Sequence, residues 1–271
     1  MAMLRNGSII ILIVALMSYS CGGKKIEPNQ SAEALYQTAM AELSKKEGFP
    51  YVFRGTNYDE VFKLLKEIQL RDTYSPYATL AELRTADAYF KREEFEQAAI
   101  GYEEFLKNHP AHQETPYATY RLALSHYMQK RSPDRDPTNT REALKWFGIF
   151  IDKYPDSPLV SDAEKRIVRC RKILAEREMY IGRFYEERKN YKAAAERFRV
   201  VVNDYNDTNR LETALFLMGE SYLKAGETEL AKEALQRLVH EFPNAKYHNK
   251  ASDLLSEIEK RGKKEAKIYE K

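Results

Sequence analysis

The stretch from Leu215 to Pro243 limits what this chain can fold into more than any other. It carries Leu215, Met218, Gly219, Tyr222, Ala231, Leu235, Leu238 and Pro243. Counted from Glu212 as position 1, these stand at positions 4, 7, 8, 11, 20, 24, 27 and 32 of a 34-residue unit, the tetratricopeptide pattern. Such a pattern is packing chemistry. Small residues at positions 8 and 20 let two antiparallel helices approach, and large apolar residues fill the space around them. Lys224-Ala225-Gly226-Glu227 supplies the turn. Pro243 has no N–H to donate and clashes with the preceding turn, so it ends the second helix.

The same register recurs upstream. A first helix starts after Ser31, an N-cap residue type, with Leu35 and Ala39 at positions 4 and 8. Its partner runs from about Tyr58 to Leu70, with Val61, Leu65 and Ile68 facing back. The intervening Glu47–Thr56 is an insert of about ten residues, and inserts in repeat arrays map to loops. A second unit opens at Tyr74-Ser75-Pro76-Tyr77-Ala78 and places Ala86, Tyr89, Ala98, Tyr102, Phe105 and Pro110 in register. A third opens at Thr115-Pro116-Tyr117-Ala118, with Ala143, Phe147, Phe150 and Pro155 on its return helix and Thr140 as the expected cap. From Val160 to about Lys189 the sole Gly or Pro is Gly182, which predicts one long helix. Its second half starts a fourth unit with Gly182, Tyr185, Ala194, Phe198 and Val201. Asn206 replaces the proline at position 32 there, so that helix end is less sharply enforced. After the fifth unit, Tyr247 to Ile258 has one apolar face, as the terminal cap of an array requires. Lys260–Lys271 is densely charged and reads as a fraying or disordered tail. The expected fold is all-α: a tetratricopeptide-repeat superhelix of about five helix pairs with a C-terminal capping helix.

The N-terminus is different in kind. Arg5 precedes an unbroken apolar run from Ile9 to Met17. That run is far short of the about 20 residues a spanning helix needs, so residues 1–20 read as a signal peptide. They end in Ser18-Tyr19-Ser20-Cys21-Gly22-Gly23, which resembles a bacterial lipobox, with Cys21 as the acylated residue. An ordinary secretory signal with a chance cysteine is the other reading. Residues 21–30 then form a polar tether. Two or more acyl chains make attachment stable, at about 0.8 kcal/mol per buried CH₂. With Cys21 acylated, Cys170, the other of the two cysteines, has no disulfide partner and reads as a small core hydrophobe.

Composition excludes several classes of function. Lysine and arginine number 44 against 41 acidic residues, so nothing points to a nucleic-acid partner. There is no phosphate-binding glycine loop, no His-x-x-x-His pair and no nucleophile elbow. His109 and His112 flank a Pro110-Ala111 turn with no metal-ligating partner nearby. No metal, cofactor or catalytic residue is expected, and the chain does not read as an enzyme.

Beyond the generic repeat, particular clusters stand in a fixed order. These are Arg135-Asp136-Pro137, Lys153-Tyr154-Pro155-Asp156-Ser157, Asp162-Ala163 with Lys165-Arg166, and Leu174-Ala175-Glu176. Tyr185-Glu186-Glu187-Arg188, Ala194-Ala195-Glu196-Arg197 and Asp204-Tyr205 follow. With the lipobox, this order resembles the BamD (YfiO) family of outer-membrane assembly lipoproteins, over roughly Cys21 to Glu241. Asn206 and the Glu47–Thr56 insert depart from the family pattern. The resemblance implies a lipid-anchored scaffold of the β-barrel assembly (BAM) complex at the outer membrane, facing the periplasm and touching the membrane only through its anchor. It implies docking on the POTRA domains of the barrel protein BamA, alongside other BAM lipoproteins where present. Residues 159–260 would hold BamA, with Tyr185, Arg188 and Arg197 on that side. Residues 31–158 would receive nascent outer-membrane proteins, and 261–271 would be tail.

By repeat position, the concave face of the first three units offers Tyr36, Gln37, Arg84, Asp87, Phe90, Lys91, Tyr120 and Tyr127. These are candidates for holding an extended peptide ending in an aromatic residue and a carboxylate, although tyrosines at such positions also pack between helices. A free periplasmic repeat adaptor for cell-envelope or division proteins is the competing reading. An enzyme with a repeat appendage is a third, but no residues remain for its catalytic domain.

Overall fold

Leu35 and Ala39 sit one turn apart on a helix that Ser31 starts, its side chain accepting a hydrogen bond from the Ala34 N–H at 3.2 Å. In the computed structural model this helix, α1, spans Ala32–Leu43. The structure describes residues 27, 29–45, 55–130, 132 and 134–269, with side chains to 263. Cys21, the signal segment and most of the Glu47–Thr56 insert lie outside the described residues.

Eleven helices and no strand occur among the described residues. After α1 come α2 (Tyr58–Arg71), α3 (Pro76–Lys91), α4 (Phe95–Asn108), α5 (Thr115–Met128) and α6 (Thr138–Lys153). The remainder are α7 (Val160–Glu187), α8 (Tyr191–Asp204), α9 (Leu211–Lys224), α10 (Thr228–Glu241) and α11 (His248–Tyr269). None is long and apolar enough to cross a membrane. The chain divides into two compact units, residues 1–88 and 89–271, with the boundary inside α3.

In the first compact unit, Leu35 and Ala39 of α1 meet Val61, Leu65 and Ile68 of α2, all fully buried, with Ala81 and Ala88 of α3 in the same cluster. The helix ends near the insert are tied together. Thr56 Oγ1 donates to the Lys45 carbonyl at 3.0 Å, and the Asn57 N–H donates to Glu42 at 2.9 Å.

In the second compact unit the cores follow the repeat register. Tyr120, Tyr127, Phe147, Phe150 and Cys170 belong to one cluster, and Ala194, Phe198, Val201, Leu215, Leu235 and Leu238 to another. The small residues mark where backbones come close. A methyl group on Gly182 would lie 2.4 Å from a ring carbon of Phe198, and one on Gly219 would lie 2.7 Å from Leu235 Cγ. Cys170 is fully buried, and burial pushes its thiol up to about 11, as expected for a packing residue.

Three expectations need correction or extension. Thr140 does not cap α6. The helix starts two residues earlier, after Pro137, where the fixed ring geometry suits a helix start, and Thr140 is buried in the first turn. The capping helix α11 continues past Ile258 to Tyr269, through much of the charged tail. The end of α8 is as sharp as the others despite Asn206. At Tyr205, as at His109, Tyr154 and Phe242, the backbone leaves the helix with φ near −130° and a last N–H bond four residues back. Arg171 secures that end where proline is missing. It holds Asp207 through two bonds of 2.7 and 2.6 Å and the Asp204 carbonyl at 2.8 Å.

Candidate protein-binding surface

α7 is 28 residues long, about 42 Å at 1.5 Å per residue. Such a helix must bury one stripe and leave the opposite one in water. Cys170, Leu174, Ala175, Met179 and Gly182 form the buried stripe. Tyr180 and Phe184, one turn apart on the other side, are 52% and 41% exposed. The Arg188 guanidinium stacks 3.5 Å from the Phe184 ring centre and donates to the Phe184 carbonyl at 3.2 Å. Tyr185 is half-buried against the C-terminal core, its ring 5.7 Å from that of Phe184. Arg197, from α8, donates to Glu178 at 3.2 Å. Glu178 is buried at 7% exposure, so Arg197 balances a carboxylate that water barely reaches while part of its own side chain stays in solvent.

Beside this face lies a cavity of about 520 Å³, lined by Asp134, Glu176, Met179, Tyr180, Arg183, Arg210 and Thr213. Arg210 donates to Glu176 at 2.8 Å across it. The loop between α5 and α6 closes one side, since Arg177 donates to the Arg135 carbonyl. Arg135-Asp136-Pro137 thus has a structural role, in which the arginine's backbone ties the loop to α7 and the proline starts α6.

In the first compact unit, Arg84 donates to the Tyr36 hydroxyl at 3.1 Å and to Asp87 at 2.6 Å. Burial works against its charge, but those bonds hold the guanidinium above its ordinary value. The Tyr36 ring is 5.6 Å from that of Tyr77, and Gln37 is exposed. Arg84 therefore serves Asp87 and Tyr36 before any ligand.

Of the candidates in the second compact unit, Lys91 is exposed, and Phe90 packs under Arg121 at 3.7 Å and against the Phe95 edge at 5.1 Å. Tyr120 and Tyr127 are not on an open face. At 7% and 6% exposure they pack edge-on against Phe147, because a phenol ring one turn from another apolar residue fills the helix-pair interior. The Tyr120 hydroxyl donates to Asp162, which Arg166 also holds. Burial followed by that bond raises the Tyr120 hydroxyl. Asp162 lies below the ordinary carboxylate range because the bonds from Arg166 and Tyr120 outweigh its partial burial. His109 and His112 sit against Phe105, and His112 Nδ1 accepts the Glu114 N–H at 3.1 Å.

Sequence reasoning missed Tyr180, Arg183, Phe184 and Glu178. A helical wheel sets the first three opposite Leu174 and Gly182, a signal that was available. The burial of Glu178 was not, since Glu at a packing position carries no pattern of its own.

The fold and these faces define a class: a stack of tetratricopeptide helix pairs with aromatic and arginine side chains left on a long connecting helix. The profile of the family described as outer membrane lipoprotein, YfiO, matches residues 28–237. The chain belongs to that family. It is 30% identical over 233 residues to the outer membrane protein assembly factor BamD of Neisseria meningitidis serogroup A, 82% of this chain and 84% of the relative. The protein of the same name from Rickettsia prowazekii is 29% identical over 247 residues, 90% and 94% of the two chains. That of Caulobacter vibrioides is 28% identical over 250 residues, 92% and 80%. Among solved structures, a tetratricopeptide-repeat protein of Thermus thermophilus is similar at 12% identity and a TM-score of 0.31, covering 84% of this chain and 98% of that one.

Proposed function

We propose that this chain is an assembly factor for outer membrane proteins, a scaffold of the β-barrel assembly complex rather than a catalyst. The observation that carries the reading is the alignment with relatives named assembly factor BamD over four-fifths or more of both chains. On this reading Cys21 carries the lipid that tethers the protein to the outer membrane, and the repeats face the periplasm. Residues 159–260 hold the POTRA domains of a BamA-like barrel protein. Residues 31–158 receive nascent barrel proteins, with Tyr36, Gln37, Arg84, Asp87, Phe90 and Lys91 as candidates for that contact.

The positions of Arg188 and Arg197 decide how this is tested. Arg197→Glu would set a second carboxylate beside buried Glu178 and disturb α7 against α8. Arg188 is exposed and touches only its own helix end in the bonds and stacking described above. Arg188→Glu is therefore the cleaner reversal. It should weaken binding of the purified POTRA domains of the partner about tenfold or more, with the helical circular dichroism spectrum unchanged. Equal binding by both forms would remove Arg188 from the contact.

A further inference from the structure

We propose that Glu178 is a positioning residue for Arg197, fixing one arm of the guanidinium so that its other edge is held out for the barrel partner. The repeat register shows what the fold itself needs at this place. Glu178 stands at position 4 of the fourth repeat, counted from Gly182 at position 8, and Arg197 at position 23, counted from Ala194 at position 20. In the first repeat those positions hold Leu35 and Leu64, and in the fifth Leu215 and Ala234, all buried in the helix-pair cores. The second and third repeats carry Gly101 and Trp146 at position 23, so of the five repeats the fourth alone sets an arginine there. A helix pair of this kind closes without an ion pair.

Stability does not ask for one either. Taking two charges out of water costs about as much as their attraction returns, and apolar side chains of similar volume in their place are often neutral or stabilising. What the pair supplies is direction. Glu178 is 7% exposed and belongs to the buried stripe of α7 with Leu174, Ala175 and Gly182, which leaves its carboxylate little freedom. One of its oxygens accepts from one Nη of Arg197 at 3.2 Å, and among the described residues this is the one side-chain hydrogen bond that Arg197 makes. The Arg197 side chain is 43% exposed, so its Nε and second Nη remain available on the solvent side.

An arginine free on a helix surface gives up rotamer freedom when a partner immobilises it, and one already held at one end gives up less. Glu178 also balances the charge of Arg197, so the contact depends on where the remaining N–H groups point, toward acceptor oxygens on the partner, more than on net charge. This rests on the reading that residues 159–260 hold the POTRA domains with Arg197 on that side.

The test measures binding of the full-length protein in mild detergent to the purified POTRA domains of its partner, with a thermal melt of every variant. Glu178→Leu and Arg197→Ala together rebuild the Leu215–Ala234 pair of the fifth repeat. That double variant should melt no lower than the native chain yet bind about tenfold more weakly. Glu178→Leu alone should lose about as much affinity as Arg197→Ala alone, and the double variant no more than either, because each change removes the same directed contact. Glu178→Gln keeps an acceptor oxygen for Arg197 and should recover part of the loss. Native or tighter binding by Glu178→Leu would overturn the proposal, since Glu178 would then be inert or would only damp the charge of Arg197. Additive losses in the double variant, or a lower melt that accompanies its weaker binding, would overturn it too. Native binding by Arg197→Ala beside a loss in Arg188→Glu would put Arg197 off the contact and end the proposal with the barrel-partner reading intact. A native chain that retains no POTRA domains would end both.

Discussion

At position 15 of the repeat the chain must turn sharply between paired helices, and one residue there takes a left-handed conformation. In the fifth repeat that residue is Gly226, at φ +82°. In the second and fourth repeats it is Glu93, at φ +64°, and Lys189, at φ +59°. All three turns close with the same bond, from the next N–H to the carbonyl four residues before the turn, each at 2.9 Å: Glu94 to Tyr89, Asn190 to Tyr185, Glu227 to Tyr222. Gly226 was legible as a turn residue; Glu93 and Lys189 were not, because the closing bond imposes the geometry on residues whose type gives no hint of it. A left-handed non-glycine residue costs about 1–2 kcal/mol, and glycine loses roughly 0.5–1 kcal/mol more entropy on folding. Glu93→Gly and Lys189→Gly should therefore each stabilise the protein by up to about 1 kcal/mol. Gly226→Ala should do the reverse. A thermal melt of the three variants checks this, and a lower midpoint for both glycine variants would contradict it.

Single helices were the most legible features, and their ends the least. The absence of helix breakers between Val160 and Gly182 announced α7, and the register put Gly182 at position 8, where a small residue lets paired helices approach. The start of α6 was misplaced because a Thr reads as a cap, whereas the structure buries Thr140 and begins the helix behind Pro137. The end of α8 looked weak without proline, but a guanidinium 33 residues upstream secures it, a contact no local pattern shows. The Gly182 approach can be measured. Alanine in place of glycine favours a helix by about 1 kcal/mol. A methyl 2.4 Å from the buried Phe198 ring instead forces a shift, and overpacking of that kind costs about 1–3 kcal/mol. The balance is a net loss of up to about 2 kcal/mol, so Gly182→Ala should lower the melting midpoint by up to about 8 °C. Phe198→Leu in the same chain should recover part of that loss, since it removes the ring the methyl meets. A midpoint raised by Gly182→Ala would mean that α7 and α8 do not approach as described.

For the molecule as a whole, the helix-pair array was legible nearly throughout, because each repeat must bury the same stripe at the same spacing. The grouping of the candidate residues was legible in part. Tyr36, Arg84 and Asp87 do come together, while Tyr120 and Tyr127 turn inward to the core. Repeat position says which helix a tyrosine is on, but whether it faces a groove or the neighbouring helix depends on the size of the residues across from it, here Phe147 and Phe150. The central claim is that the whole chain works as a lipid-tethered scaffold for a barrel protein, and retention of its partners tests it most directly. The full-length protein would be recovered from its own envelope in mild detergent, and everything retained identified by mass spectrometry. The account predicts a POTRA-containing barrel protein in about equal amount, lost when Arg188→Glu is introduced. Recovery of cell-wall or division proteins without any such barrel protein would leave the helix pairs standing and contradict the function.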